Sequence, residues 1–378
     1  MAKPLIETFK GFRKRHICML MVTHVCNLNC TYCYESFKGA RYMDVALAKD
    51  ILLKELAFVR QTEKFEELEV DFMGGEPFIN FTLIREIVEW LLDLKQDIPF
   101  ITSCPTNGSL IDDTNKEWLR THKDVFIPGL SYDGDFDMQQ QNRGTAKKPI
   151  DMQFFIETWP TQAFHMTISK ETLPHLAQGV LALQHAGGKL EATLAQGIDW
   201  IDEDATIFRE QLGILTEAYL EDKALKPINL LGRPLFSVAT PEPTQGKFCG
   251  TGTSMITYDI DGKTYPCHMF SPIVLGPKHA LELEKSGITE DCHVSDHFCD
   301  SCKLSNWCPT CYGFNYRFRG EISTRDHRWC NMIRNQALAS CEFQIAYYRK
   351  HIDKLTEADM AQLKGALKTY HVFAEGAG

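Results

Sequence analysis

Residues 21–35 read MVTHVCNLNCTYCYE and contain three cysteines, Cys26, Cys30 and Cys33, in the spacing Cys-x3-Cys-x2-Cys. Three thiolates this close together cannot serve three separate sites, but they can hold three irons of one four-iron, four-sulfur cube. Ferredoxin runs supply four thiolates to such a cube and leave no iron open. The stretch therefore predicts a cluster whose fourth iron is free to bind a small molecule through nitrogen and oxygen.

The alternatives for the same residues are a zinc knuckle or three unrelated buried thiols. A structural zinc ion needs a fourth cysteine or histidine at finger spacing. His24 lies too close in sequence to supply that ligand comfortably. The number and spacing of the ligands thus favour the cluster.

With the aromatic Tyr32 directly before the third cysteine, the stretch resembles the signature of the radical S-adenosylmethionine (SAM) enzymes. The resemblance implies that the open iron chelates the amino and carboxylate groups of SAM, and that one electron releases a 5′-deoxyadenosyl radical. In such an enzyme the cofactor supplies the difficult chemistry, while the protein supplies orientation and excludes water.

Composition excludes several classes of protein. The 378 residues are 44% apolar and contain no apolar run near 18 residues, so we expect a large core and no membrane span. Residues 1–15 lack the apolar segment of a secretory signal, which predicts a cytoplasmic protein whose fourteen cysteines are not disulfides. The net charge of −10, with scattered basic residues, argues against nucleic acid as a partner.

Strand and helix patterns alternate over roughly residues 15–225, which predicts an α/β fold with a parallel sheet. The predicted strands are residues 17–23, 68–73, 99–103, 125–131, 164–169 and 190–196. Six such units match the open, partial (β/α)6, TIM-like barrel that the resemblance implies. Ligands of parallel α/β sheets bind at the carboxyl ends of the strands.

Polar and glycine-rich stretches follow these strands. Gly74-Gly75-Glu76 comes after the second strand and matches the family's GGE motif, which implies contact with the SAM amino group. The other strand-end residues are either cofactor or substrate contacts or ordinary turns. The predicted cofactor-binding residues are Tyr32, Gly74, Gly75, Glu76, Asn107, Ser131, Asp133 and, more weakly, Ser169.

A second cysteine field follows in the last third of the chain, after a hairpin with its tight turn at Asp261-Gly262. No zinc finger uses seven thiolates in this order. The pattern resembles the SPASM domain, which implies two auxiliary iron–sulfur clusters, expected to be of the 4Fe–4S type. The implied ligands are Cys299, Cys302, Cys308 and Cys330 for the distal cluster, and Cys249, Cys267 and Cys311 for the proximal cluster.

The proximal set has three thiolates, since residues 250–255 lack the further cysteine that relatives carry there. An open iron at this site could bind a substrate thiolate and fix it for thioether formation. Alternatively Cys292, His293 or His297 closes the site, or the cluster relays electrons. His268 is the candidate catalytic base, where the anaerobic sulfatase-maturating enzymes have aspartate; the alternative is a hydrogen-bond donor beside the cluster.

These patterns divide the chain into an N-terminal extension (residues 1–16), the barrel (17–225), a linker (226–246), the SPASM domain (247–335) and C-terminal helices (336–378). No winged-helix leader-binding domain fits into residues 1–16. Recognition of a leader peptide would then need a separate protein or a cleft in the body, unless there is no leader.

The sequence thus predicts a radical SAM peptide maturase. It would install an oxidative crosslink, with a thioether favoured, in a ribosomally made peptide, and take electrons from a donor such as flavodoxin or ferredoxin. The alternatives are a protein side-chain dehydrogenase of the sulfatase-maturating kind, oxidation of a small metabolite, and a cluster-binding electron carrier without catalysis.

Overall fold

The computed structural model describes residues 14–144, 149–235, 238, 249–282 and 296–375. Its eight strands are β1 Arg15–Thr23, β2 Glu67–Gly74, β3 Phe100–Thr106, β4 Phe126–Leu130, β5 Ala163–Ile168, β6 Lys189–Leu194, β7 Met255–Tyr258 and β8 Thr264–Tyr265.

The strands form one six-stranded sheet in the order β4-β3-β2-β1-β7-β8 and a two-stranded sheet of β5 and β6. A parallel bridge between Ser131 and His165 joins the two sheets after β4. Every pairing is parallel except that of β7 with β8. The predicted α/β fold, an open partial barrel built from six consecutive strands, is confirmed.

The helices lie between the strands and over the C-terminal third. They are α1 Val45–Gln61, α2 Phe81–Asp93, α3 Asp113–Thr121, α4 Phe136–Arg143, α5 Met152–Thr158, α6 Leu176–His185, α7 Asp202–Glu221, α8 Asn229–Gly232, α9 Pro272–Leu275, α10 Pro277–Glu282, α11 His297–Asp300, α12 Tyr312–Arg319, α13 Cys330–Lys350 and α14 Glu357–Glu375. None of these described helices is long and apolar enough to cross a membrane.

Local sequence explains where several helices begin. The Asp44 carboxylate accepts the N–H groups of Ala46 and Leu47 at the start of α1, and Asp112 caps α3 through the N–H of Asn115. Such caps satisfy donors that a helix leaves free at its first turn. The polar α4 has little apolar periodicity, and the sequence analysis did not predict it.

β1 lies at the centre of the core and is buried along all but its first residue. β2 and β7 pair with its two edges. Since successive side chains of a strand point to opposite faces, eight consecutive buried residues mean that both faces are covered, which explains why β1 reads as an almost continuous apolar run. The segment of residues 24–40, which we call the cluster loop, begins at the carboxyl end of this buried strand.

Two features show that the predicted barrel, linker and SPASM regions are not structurally separate. β7, from the predicted SPASM region, pairs in parallel with β1, so the C-terminal field contributes a strand to the barrel sheet. Residues 226–235 of the predicted linker include the buried helix α8. Ser340 Oγ and Gln344 Nε2 of α13 donate hydrogen bonds to the carbonyls of Leu230 and Leu231, which holds this segment in place.

Candidate functional site

The loop after β1 presents Cys26, Cys30 and Cys33, each partly exposed. Among the described residues, the set whose ligand atoms all lie within 4.8 Å of one another is Asp296, Cys299 and His327, and the three loop cysteines are not such a set.

The thiols of this loop are close enough to influence one another. Burial raises the pKa of Cys30 to about 11, and the thiols of Cys33 and Cys26 add to the effect while the Arg143 guanidinium opposes it. Although burial works against its charge, Lys38 has a raised pKa because the Cys33 and Cys26 thiols lie beside it and Cys33 accepts its hydrogen bond. The loop thus contains a cation that would offset thiolate charge, and nothing in the sequence pattern singles out this lysine.

Gly74 and Gly75 pack against the cluster loop. A Cβ atom on Gly74 (φ +152°) would lie 2.3 Å from the Thr23 carbonyl oxygen, and one on Gly75 would lie 2.4 Å from that of Val25. The Glu76 N–H also donates to the Val25 carbonyl oxygen at 2.9 Å. The two glycines are therefore needed for close approach of β2's end to the loop that holds Cys26.

The Glu76 carboxylate is buried and fixed by three donors from its surroundings. It accepts hydrogen bonds from the Phe78 N–H (3.1 Å), the Thr106 hydroxyl (2.8 Å) and the Asn107 N–H (2.8 Å). Burial raises the pKa of Glu76, and these hydrogen bonds work in the opposite direction. Asn107 Nδ2 donates in turn to Asn27 Oδ1 in the cluster loop at 3.0 Å. Two predicted SAM contacts, Glu76 and Asn107, are thus brought together at the edge of the cluster loop.

Asp133 is the acceptor of a buried network. Its carboxylate accepts from Arg143 Nε at 2.9 Å and Nη2 at 3.1 Å, from the Thr167 N–H at 2.9 Å, and from the hydroxyl of Tyr32. The Arg143 guanidinium also lies 5.5 Å from the centre of the Tyr32 ring. The structure therefore joins Asp133 to Tyr32 and gives its carboxylate partners within the protein.

The last two predicted cofactor contacts at strand ends, Ser131 and Ser169, have partners within the protein. Ser169 is fully buried, and its hydroxyl donates to Asn142 Oδ1 at 2.6 Å. Ser131 forms the bridge to His165 that joins the two sheets. Contact of either serine with the cofactor stays a prediction.

The four cysteines assigned to the distal cluster line one cavity of about 430 Å³, together with Cys311. Burial raises the pKa of Cys330 to about 11, with the nearby thiols of Cys308 and Cys302 contributing. Cys299 shows the same pattern with Cys308 and Cys330. The structure thus brings Cys299, Cys302, Cys308 and Cys330 together around a space, as the donor set of a cluster requires.

The three cysteines assigned to the proximal cluster also lie together. Burial raises the pKa of Cys267 to about 12, with the thiols of Cys311 and Cys249 adding to the effect. The buried hydroxyl of Thr251 lies 3.0 Å from Cys249 Sγ and also bonds to Cys267. Thr251 therefore lies among the proximal thiols. It belongs to residues 250–255, the stretch that lacks the additional cysteine of related proteins.

Of the alternative fourth ligands, Cys292 and His293 lie outside the described residues. His297 is exposed at the start of α11, the helix that also contains Cys299. Thr251 could not be singled out from the sequence, because a threonine two residues after a cysteine is common.

His268, the predicted base, is hydrogen-bonded through Nε2 to the hydroxyl of Tyr34 at 3.2 Å. Burial lowers the pKa of His268 to about 4, so the imidazole is neutral at neutral pH. Its Nδ1 atom is also buried and has no hydrogen-bond partner within the described part of the chain. This environment fits a neutral hydrogen-bonding group beside Cys267 at least as well as a base.

Tyr34 connects the two cysteine fields. Besides His268, its ring contacts the edge of Phe314, with ring centres 5.8 Å apart. Arg317 of α12 donates to the Tyr34 carbonyl oxygen and, at 2.8 Å, to Ser36 Oγ. Both partners on α12 follow Cys311 by a few residues, so the cluster loop packs against the segment that contains the second group of cysteines.

Comparisons with known proteins agree with this architecture. The family model for the Radical SAM superfamily matches residues 20–147. The uncharacterized protein MJ0907 of Methanocaldococcus jannaschii is 34% identical over 116 residues, which are 31% of this chain and 38% of that protein. The chain spans about two-fifths of the length of the first curated relatives that it matches.

Two further similarities extend over most of the chain. The antilisterial bacteriocin subtilosin biosynthesis protein AlbA of Bacillus subtilis is 22% identical over 362 residues, covering 84% of this chain and 71% of AlbA. The solved structure of native anSMEcpe with bound AdoMet and Cp18Cys peptide has a TM-score of 0.65 at 17% identity, covering 90% of this chain and all of the other. At this identity the structural likeness shows a shared fold.

Proposed function

The chain belongs to the radical SAM superfamily, whose family model matches residues 20–147, and from this premise we propose that it is a peptide maturase. It would abstract a hydrogen atom from a residue of a ribosomally made peptide and install an oxidative crosslink. The whole reaction removes two hydrogens from the peptide, so it needs an acceptor for electrons as well as a radical source.

The observation that supports this proposal most strongly is the contact between the two cysteine fields. Tyr34, next to Cys33, is hydrogen-bonded to His268, next to Cys267, and Arg317 of α12 holds the same loop. If both groups of cysteines hold clusters, this contact would bring the electron acceptors of a net oxidation next to the radical source, which supports the proposal.

At the first site, Cys26, Cys30 and Cys33 would hold the cluster, and Lys38 would offset part of their charge. When bound there, SAM and the cluster supply a 5′-deoxyadenosyl radical that abstracts hydrogen. Glu76 would contact the SAM amino group, since a carboxylate beside an ammonium forms a charge-assisted hydrogen bond. Its three internal donors keep that carboxylate in place before any ligand arrives.

At the second site, the two groups of cysteines would hold auxiliary clusters. The proximal group offers three thiols, with the Thr251 hydroxyl among them. A cysteine of the peptide could supply the fourth thiolate, which would deprotonate it and fix its position for bond formation. We therefore favour a thioether as the product.

The comparisons support a peptide as the substrate. The name of AlbA places it in the biosynthesis of a bacteriocin, and the anSMEcpe structure contains a bound peptide. The partners we propose are a ribosomally made peptide and an electron donor such as flavodoxin or ferredoxin. A separate leader-binding protein is an additional candidate.

The test is anaerobic incubation of the reconstituted protein with SAM, dithionite and candidate peptides from neighbouring reading frames. We expect 5′-deoxyadenosine release that rises with peptide, and a peptide product lighter by two hydrogens. A thioether would suppress fragmentation between the linked residues in tandem mass spectrometry.

A product that instead reacts with a hydrazine probe would indicate a side-chain carbonyl and a sulfatase-maturating type of activity. Release of 5′-deoxyadenosine that no peptide stimulates, but a small alcohol or amine does, would contradict the maturase proposal.

A further inference from the structure

Arg325 is a buried arginine at the wall of the distal cavity. Its side chain is 7% exposed and lines the cavity with Cys299, Cys302, Cys308 and Cys330. Its Nη2 donates to the Ser305 carbonyl oxygen at 2.9 Å and its Nη1 to the Cys308 carbonyl oxygen at 3.3 Å. These bonds fix the guanidinium to the segment that joins two of the cysteines.

The charge of Arg325 acts directly on the thiols. Burial raises the pKa of Cys308, and the Arg325 guanidinium opposes this through its charge and a hydrogen bond to that thiol. Arg325 also lowers the pKa of Cys299 and Cys330, whereas the buried Asp296 carboxylate, which accepts the Arg325 backbone N–H, raises both. Arg233, whose guanidinium lies 4.8 Å from the Trp307 ring, places a second positive charge near Cys308.

We propose that Arg325 raises the reduction potential of the distal auxiliary cluster. The inference rests on the proposed function, because it takes the distal thiolates to hold a cluster. Reduction adds a negative charge, and a fixed positive charge in a poorly solvated site favours the more negative form. Net charge and hydrogen bonds to sulfur are the main determinants of cluster potential.

The test is a potentiometric titration of the whole, anaerobically reconstituted protein, followed by EPR. The distal signal is identified as the one that a Cys299→Ala variant lacks. In Arg325→Gln we expect the ratio of reduced to oxidised distal cluster, at a fixed solution potential, to fall about tenfold, which corresponds to about 59 mV. Arg325→Lys keeps the charge and should restore most of the ratio.

The matched control is Arg328→Gln, three residues along the chain, because the Arg328 guanidinium is bonded to Asp326 instead. It should leave the ratio unchanged, and the first cluster should keep its potential in every variant. Iron content should stay at the wild-type value in Arg325→Gln.

An unchanged distal potential in Arg325→Gln would overturn the inference, as would a loss of iron in both Arg325 variants, which would show a purely structural role. A wild-type protein with about four irons per chain would instead refute the auxiliary clusters and, with them, that part of the proposed function. Peptide-dependent 5′-deoxyadenosine release, measured on the wild type, tests the maturase proposal separately from the potential.

Discussion

The hydroxyl of Tyr34 lies 3.2 Å from Nε2 of His268, although the two residues are 234 positions apart in the chain. Each follows a predicted cluster ligand directly, Tyr34 after Cys33 and His268 after Cys267. The hydrogen bond therefore ties the loop of the first cluster to the hairpin end of the second cysteine field. A substitution at this contact should therefore lower the yield of peptide product per 5′-deoxyadenosine more than it lowers SAM cleavage itself.

Replacement of Tyr34 by phenylalanine removes this hydrogen bond but keeps the ring against Phe314. The lost bond leaves a buried imidazole nitrogen without its partner, which costs about 1–3 kcal/mol. We expect peptide product to fall about tenfold relative to 5′-deoxyadenosine, because the three loop cysteines are untouched. The ratio of product to 5′-deoxyadenosine measures the effect. Tyr42→Phe, on an exposed ring, is the control, and an equal ratio in both variants would contradict the prediction.

Replacement of Gly75 by alanine should damage the first cluster site. The new Cβ atom would lie 2.4 Å from the Val25 carbonyl oxygen and 2.9 Å from Cys26 Cβ, so the loop must move. We expect the variant to lose most of the iron of the first cluster and nearly all SAM cleavage, as measured by iron analysis and 5′-deoxyadenosine release. Gly39→Ala in the same loop is the matched control, since its Cβ would meet nothing within 4 Å. Normal iron content in the Gly75 variant would show that the close approach is not needed.

Substitution of a single cysteine ligand distinguishes the first cluster from the distal cluster experimentally. Cys30→Ala should remove about four irons per chain and abolish SAM cleavage. Cys26→Ala and Cys33→Ala should have the same effect. Cys299→Ala should lose distal iron and also lower the yield of folded protein, because cluster binding and folding are coupled.

Cys104→Ala is the control for these variants, since its thiol is buried in the core and only 1% exposed. It should keep its iron and cost about 1 kcal/mol of stability. Full 5′-deoxyadenosine production by Cys30→Ala would refute the assignment of the first site.

Asp71 of β2 makes stability depend on pH. Burial and the nearby Glu69 carboxylate raise the pKa of Asp71 to about 7, above its value in an unfolded chain. The folded protein therefore holds this proton more tightly, and the stabilisation present at low pH is lost as pH rises through about 7.

Asp71→Asn should thus gain about 1 kcal/mol relative to wild type between pH 6 and pH 8, measured by anaerobic thermal denaturation followed by circular dichroism. Asp50→Asn, at an exposed position, is the control. A difference between wild type and Asp71→Asn that stays constant with pH would contradict the prediction.

Strand and helix order could be predicted because it depends on local patterns. Each of the six predicted barrel strands overlaps an observed strand, and the turn at Asp261-Gly262 closes the predicted hairpin, with Gly262 at φ +81°. The polar α4 was missed because its apolar positions are few. Packing against the rest of the barrel, and not its own pattern, makes that segment a helix.

The candidate site was only partly predictable. The cysteines could be grouped because thiolates at short spacing have few other uses in a chain of this kind. In the structure the four distal cysteines line one cavity, which Cys311 of the proximal group also lines. The residues that surround them could not be found this way. Lys38, Thr251 and Arg325 are ordinary residues in the sequence, and their effect on the thiols depends on distance and burial, which spacing does not contain.

The sequence by itself determined the alternation that builds the parallel sheet, the three-cysteine loop at the end of its most apolar strand, and the stock of thiols for further clusters. Tertiary structure alone decided that β7 pairs with β1, that Tyr34 meets His268, and that Arg325 lies beside the distal thiols. The physical reason is the distance along the chain over which each effect acts. Periodicity and ligand spacing depend on residues a few positions apart, whereas the hydrogen bonds and strand pairing at the site join segments more than 200 residues apart.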